Sequence, residues 1–181
     1  TWSWNSNGCN AIIKTASHEL VCGCSSTIIP EGVKKIGNYA FCGFSGLTDI
    51  AIPESVTEIG IGAFCNCTEL TAIVIPKGVT KIEDGTFYGC SKLASIQIPE
   101  GMTRIGNEAF LGCYSLTNII IPENVTEIGN CALAECTGLS SIVVAQGNKV
   151  YDSRNSCNAV IKTAENKLLT GCASTEIPDS V

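Results

Sequence analysis

Proline recurs at Pro30, Pro53, Pro76, Pro99 and Pro122, an unbroken spacing of 23 residues. The same pattern surrounds each: from Pro53 it runs through Val56, Ile59-Gly60, Ala63-Phe64, Cys67 and Leu70 to Ile73 and Ile75. A fixed period in this range means that each unit is one supersecondary piece whose apolar face is buried only by its neighbours. The chain therefore reads as a stack of coils with a line of core rather than a ball.

Within one coil, Leu47, Ile50 and Ile52 follow the Leu-x-x-Ile-x-Ile alternation of a strand, with Ile50 and Ile52 inward and Ala51 outward. Proline ends that strand because it has no N–H to give a ladder. Val56-x-x-Ile59 returns along a second wall, and Gly60 marks a bend. Ala63-Phe64 is expected in a short helical turn that drives the ring inward, capped by Cys67. Successive coils repeat one direction, so their strands must be parallel. At the usual strand spacing, seven coils make a rod about 35 Å long.

Five units of this kind occupy residues 30–144. They are flanked by two copies of a longer segment, 1–29 and 145–177. Cys9-Asn10-Ala11-Ile12-Ile13-Lys14-Thr15-Ala16 reappears 148 residues later as Cys157-Asn158-Ala159-Val160-Ile161-Lys162-Thr163-Ala164. The 33-residue unit from Ala145 to Ile177 reads as a coil with an inserted β-hairpin. If Ile13 faces Leu20, then Ile12 faces Val21 and Cys9 faces Cys24; the second copy sets Cys157 opposite Cys172. Facing cysteines on antiparallel strands fit either a disulfide or two adjacent thiols. Residues 178–181 open a further unit and Thr1-Trp2-Ser3-Trp4 is no leader, so the chain is expected to be a piece of a longer protein built from such blocks.

The unit resembles the BspA-like (Treponema pallidum type) leucine-rich repeats of bacterial surface proteins. The hallmark stands here as Ile52-Pro53, Val56, Ile59-Gly60, Ala63-Phe64, Cys67 and Leu70. The resemblance covers essentially the whole chain, and the hairpin segment is similar to an insertion common in that family. It implies an α/β leucine-rich-repeat solenoid, rich in β: 23-residue coils, a parallel β-sheet on the concave face, short helical turns, and a β-hairpin insertion in each 33-residue unit. Two departures stand out. The asparagine ladder of standard leucine-rich repeats is missing from the comparable column, Gly32, Ser55, Gly78, Gly101 and Asn124. Leu133 replaces phenylalanine in the fifth coil, and Glu83 and Glu108 interrupt columns of smaller residues.

Twelve cysteines suggest a disulfide scaffold or zinc, but their columns argue for packing. Cys67, Cys90, Cys113 and Cys136 share one position with Phe44; Cys42 and Cys65 share another with Tyr88, Leu111 and Ala134. Positions that accept Cys, Phe or Leu call for small or apolar core residues. Cys22-x-Cys24 and Cys65-x-Cys67 have too few partners for a zinc site, and the single histidine, His18, sits in the hairpin turn.

Catalysis finds little support. One histidine leaves no room for His-based triads. The carboxylates Glu31, Glu54, Glu100 and Glu123 follow each proline, but Lys77 breaks the row and no aromatic residue lies beside it to bind a sugar. The row reads as a solvated edge. No glycine loop is built to cradle a phosphate, and no cofactor is expected. The Asn-x-Thr motifs at Asn66 and Asn124 are patterns only. Charged residues are 15% and net charge is −6, which excludes a nucleic-acid backbone as partner; no membrane-spanning segment is present.

What remains is surface. The outward positions of the strands form a central stripe, Ala51, Val74, Gln97, Ile120 and Val143. Beside it run Asp49, Ala72, Ser95, Asn118 and Ser141, then Thr48, Thr71, Ala94, Thr117 and Ser140. A nearly uncharged floor with three exposed aliphatic residues suits protein contact, though it lacks the aromatic anchors of a strong hot spot. The expectation is a non-catalytic, protein-binding module of a cell-surface or secreted microbial protein. The resemblance implies adhesion to host proteins such as fibronectin or fibrinogen, or contact with another microbial surface protein. A spacer presenting some other domain is the alternative.

Overall fold

The computed structural model describes residues 2–4 and 10–181. The first long unit contributes β1 (Trp2–Trp4), β2 (Ile12–Lys14) and β3 (Glu19–Cys22). The coils contribute β4 (Lys35–Ile36), β5 (Glu58–Ile59), β6 (Ala72–Val74), β7 (Lys81–Ile82), β8 (Ser95–Gln97), β9 (Arg104–Ile105), β10 (Asn118–Ile121), β11 (Glu127–Ile128) and β12 (Ser141–Val144). The second long unit adds β13 (Tyr151–Asp152), β14 (Ala159–Lys162) and β15 (Lys167–Gly171).

Two walls of parallel strands run along the solenoid. The Leu-x-x-Ile-x-Ile wall pairs β6 with β8 and β10 with β12, one repeat apart, Val74 opposite Gln97 and Ile120 opposite Val143. The Val-x-x-Ile wall pairs β3 with β4, β4 with β5, and β7 with β9 and β11. Residue 23 steps on therefore sits directly above its predecessor, and one side chain per coil builds each ladder of the core. The rings of Phe41, Phe64, Phe87 and Phe110 stack nearly parallel with centroids 5.2, 5.7 and 5.5 Å apart, all fully buried. Leu133 ends the stack and is buried in its turn. Of the inward pairs, Ile73, Ile75, Ile119 and Ile121 are buried, whereas Ile50 and Ile52 are half-buried and Thr48 to Ile52 form no assigned strand.

The phenylalanine turns are not helical. Alternate N–H groups leave the turn: Tyr39, Phe41 and Gly43 donate to Ile61, Ala63 and Cys65 of the next coil at 2.9, 2.7 and 2.7 Å. The residues between them, Ala40 and Cys42, close local bonds to Gly37 and Tyr39. An α-helix directs every amide along its own axis, so a turn that spends half its donors on its neighbour cannot be one. The alternation requires left-handed backbone at two places per coil. Tyr39, Gly62, Gly85, Glu108 and Cys131 share φ between 54° and 60°, and Gly43, Asn66, Gly89, Gly112 and Glu135 lie at 56° to 78°. The glycine at the expected bend has another reason: a Cβ on Gly106 would lie 2.6 Å from Asp84 N and 2.7 Å from Glu83 C, so the column is glycine for close approach between coils.

The hairpins carry a β-bulge absent from the expected register. Ile13 does face Leu20, but Ile12 faces Cys22, leaving Val21 as the extra residue. In the second copy Ile161 faces Leu168 and Val160 faces Thr170. One inserted residue slides the base of the hairpin, and Cys157 no longer falls opposite Cys172. Cys157 is a buried free thiol, and the Cys172 thiol is free and donates to Asn158 O at 3.4 Å. Cys9 lies outside the described residues. Cys24 occupies the same setting as Cys172, its Sγ 3.5 Å from Asn10 O.

Candidate functional site

The strand wall places the central stripe outward along its length. Ala51, Val74, Gln97, Ile120 and Val143 are all exposed, Val74, Ile120 and Val143 to 56%, 62% and 44%. Asp49, Ala72, Ser95 and Asn118 form the exposed neighbouring row, with Ser141 half-buried. Alternation causes this: Ile73 and Ile119 turn into the core, so the residues on either side must face water. Val74 sits on the rim of two shallow cavities. One of about 340 Å³ lies toward Asp49 and Ala51; the other, about 460 Å³, lies toward Gln97, Ile98 and the Glu54–Lys77–Glu100 edge.

The flanking threonine row serves the fold first. Thr71 Oγ1 donates to Thr48 O at 3.3 Å, Thr117 to Ala94 O at 3.4 Å and Ser140 to Thr117 O at 3.1 Å. Those hydroxyls clip coil to coil, whereas the side chains of Val74, Ile120 and Val143 stand exposed.

One polar ladder and one ion-pair cluster lie outside the columns singled out from sequence. Asn38 Oδ1 accepts the Ile61 N–H at 3.0 Å, Asp84 Oδ1 accepts that of Asn107 at 2.9 Å, and Asn107 Oδ1 accepts that of Asn130 at 2.8 Å. The column Asn38, Ile61, Asp84, Asn107, Asn130 carried the signal, four amide or acid residues of five, six positions beyond the column searched. Hydrogen bonds from Asn107, together with the nearby Arg104 guanidinium, hold the Asp84 carboxyl below the usual carboxylate range. Arg104 itself bridges Glu83, Asp84 and Glu127 at 2.8, 2.8 and 3.0 Å.

The cysteines divide into two classes. Cys67, Cys90, Cys113 and Cys136 are buried, and each thiol donates to the carbonyl of the phenylalanine 26 residues earlier, at 3.0, 3.1, 3.3 and 3.1 Å. Burial pushes the Cys67 and Cys136 thiols up to about 11, and those of Cys90 and Cys113 further in the same direction. Cys42 and Cys65, read from sequence as packing residues, instead form a disulfide between adjacent coils, with Cα atoms 4.6 Å apart. Within this column only Cys42 and Cys65 fall on neighbouring coils; the column Cys67, Cys90, Cys113 and Cys136 also stacks cysteines on neighbouring coils but keeps them as free thiols that donate to phenylalanine carbonyls.

The carboxylate row Glu31, Glu54, Glu100 and Glu123 is exposed. Among the described residues no group of three or more His, Cys, Asp and Glu side chains is arranged to hold a metal ion. No helix in them is long and apolar enough to cross a membrane.

The BspA type leucine rich repeat region, in six copies, matches residues 12–140. No curated relative matches the chain. The crystal structure of a T. pallidum leucine-rich-repeat protein is 28% identical with a TM-score of 0.65, over 78% of this chain and 67% of that one. A leucine-rich-repeat protein of Bacteroides ovatus is 35% identical with a TM-score of 0.62, over 80% of this chain and 39% of that one. A leucine-rich cell surface protein of Faecalibacterium prausnitzii is 25% identical with a TM-score of 0.53, over 92% and 57%. The chain thus spans less than two thirds of the length of the last two. Its repeats and its fold agree on one assignment: the chain belongs to the BspA-type leucine-rich-repeat family.

Proposed function

We propose that this chain is a non-catalytic, protein-binding segment of a cell-surface or secreted microbial protein, and that its partner is a host extracellular or cell-surface protein. The observation that carries the reading is the exposed stripe Ala51, Val74, Gln97, Ile120 and Val143, flanked by Asp49, Ser95 and Asn118. Charge depletion with aliphatic exposure is the make-up of an interface core. Weak contacts repeated every coil gain strength through multivalency along a longer chain. The Cys42–Cys65 disulfide favours an oxidising compartment, in keeping with surface exposure or secretion. The F. prausnitzii neighbour, described as a cell surface protein, points the same way.

The test is binding of the purified chain to a panel of host matrix proteins at physiological salt, beside a Val74→Asp/Ile120→Asp double variant. Saturable binding that the variant loses supports the reading. A folded chain that binds nothing, or a variant that binds equally well, favours the second reading, a spacer that projects another domain. The regular core and the coil-to-coil disulfide suit a stiff stalk as well, and that is its support.

A further inference from the structure

On the Val-x-x-Ile wall the junction between the second and third coils is a fault in the strand pairing: β5 and β7 are not paired. Here Glu83 stands in the glycine column and Ile61 in the asparagine column, so both close approach and the amide ladder fail between the same two coils. A cleft of about 580 Å³ opens on that wall. Around the corner lies a second, apolar groove of about 400 Å³. Tyr39 and Tyr88, 60% and 39% exposed, both line it. Gly62, Gly85 and exposed Ile61 line it as well. The Tyr39 ring lies directly against Gly62, where a Cβ would strike it. The Cys42–Cys65 disulfide ties together the coils that carry Tyr39 and Ile61, while Tyr88 stands on the third coil across the fault.

The chemistry of the lining narrows the occupant. The polar groups at the edge, Asp84 and Asn107, are spent on each other and on Arg104 and Asn130, so few directional hydrogen bonds are left for a sugar. Two exposed tyrosine rings in one groove suit rigid pyrrolidine rings, which dock in aromatic-lined grooves with little ordering cost. The rim is acidic: Glu108 lines the groove, and Arg104 is outnumbered by Glu83, Asp84 and Glu127 around it. We propose that the Tyr39–Tyr88 groove binds a proline-rich peptide segment with a basic flank, a contact separate from the strand face.

The test is an NMR titration of the isotope-labelled chain with a synthetic hexaproline peptide flanked by arginines. The expected result is saturable shifts confined to the amides of Tyr39, Ile61, Gly62, Gly85 and Tyr88. Tyr39→Ala and Tyr88→Ala each weaken binding about tenfold, while Tyr39→Phe, which keeps the ring and controls for folding, stays within about twofold. A glutamate-flanked peptide binds about threefold more weakly, and the difference shrinks in Glu108→Gln. The Val74→Asp/Ile120→Asp variant binds normally, which separates this proposal from the strand-face reading. The proposal is overturned by absence of saturation at millimolar peptide, by shifts on the strand face, or by undiminished binding to a Tyr39→Ala/Tyr88→Ala double variant. A neutral oligosaccharide that produces the tyrosine-dependent shifts where the peptide does not also overturns it, in favour of a glycan.

Discussion

The thiol of Cys90 donates to the carbonyl oxygen of Phe64 at 3.1 Å, and that carbonyl also accepts the N–H of Cys67 at 3.2 Å. Cysteine therefore does two things at this position: it fills a small apolar space and satisfies a carbonyl of the coil below. Phe44 holds the same position in the first coil, which stacks on the hairpin unit with Leu20 opposite Ile36, and no phenylalanine precedes Phe41 to place a carbonyl beneath it. The exchange of Cys for Phe at the start of the array follows from the loss of that acceptor.

The donor makes the order of substitutions predictable. Cys90→Ala, which removes volume and the S–H, is expected to cost about 2 kcal/mol. Cys90→Ser, which keeps a donor aimed at Phe64, is expected to cost about 1 kcal/mol despite its polarity. Urea denaturation of the two variants checks the order. Apolar packing alone would reverse it.

Because burial raises the ladder thiols above the ordinary value of 9.0, the folded state favours their protonated form. Their contribution to stability is complete below pH 9, where the unfolded chain also keeps its thiols protonated. It is lost as pH rises through about 11, the folded value for Cys67 and Cys136. Thermal midpoints are expected to fall steeply above pH 9, and to fall less when Cys67 and Cys136 are replaced by alanine. Iodoacetamide at pH 8 should label the exposed Cys22 and Cys131 in the folded chain and spare the ladder.

Cys42 and Cys65 close a loop of one repeat. Reduction, or the Cys42→Ser/Cys65→Ser pair, is expected to lower stability by about 3 kcal/mol through the entropy of the unfolded chain. Denaturation with and without a reductant measures it, with the double variant as a control that reductant no longer affects.

The fault between the second and third coils is repairable. Glu83→Gly restores close approach and Ile61→Asn restores the amide ladder, so the double variant is expected to gain about 1 kcal/mol. The cost to set against this is the Arg104–Glu83 ion pair at 2.8 Å, partly exposed and worth less than the closed wall. Amide exchange at Lys81 and Glu83, slowed in the repaired chain, reports closure of the wall directly.

Much of this molecule is legible from one repeat. The 23-residue period places Phe64 over Phe41 and turns Val74 outward while Ile73 turns in, because stacking and strand alternation leave no other arrangement. Legibility fails where one residue is inserted or where a backbone choice decides. Val21 and Leu169 are ordinary strand residues by composition, yet as bulges they slide the hairpin bases and separate Cys157 from Cys172. The turn at Ala63-Phe64 has helix-compatible residues, but donors shared with the next coil keep it from being a helix. Cys42 and Cys65 show the limit of column reasoning: a position that tolerates Tyr88 and Leu111 elsewhere becomes a disulfide here, while the stacked Cys67, Cys90, Cys113 and Cys136 remain thiols. The Tyr39–Tyr88 groove is not legible for a similar reason, since its two tyrosines belong to different columns and share a groove only in three dimensions.

Hydrogen–deuterium exchange on the chain bound to whichever matrix protein it captures tests the central claim most directly. The account predicts slowed exchange at residues 72–74, 95–97, 118–121 and 141–144, with the Glu54–Glu100 edge and the second hairpin unchanged. Protection elsewhere with the strand wall unaffected, or capture that leaves no footprint on it, would contradict the assignment of this face as the binding surface.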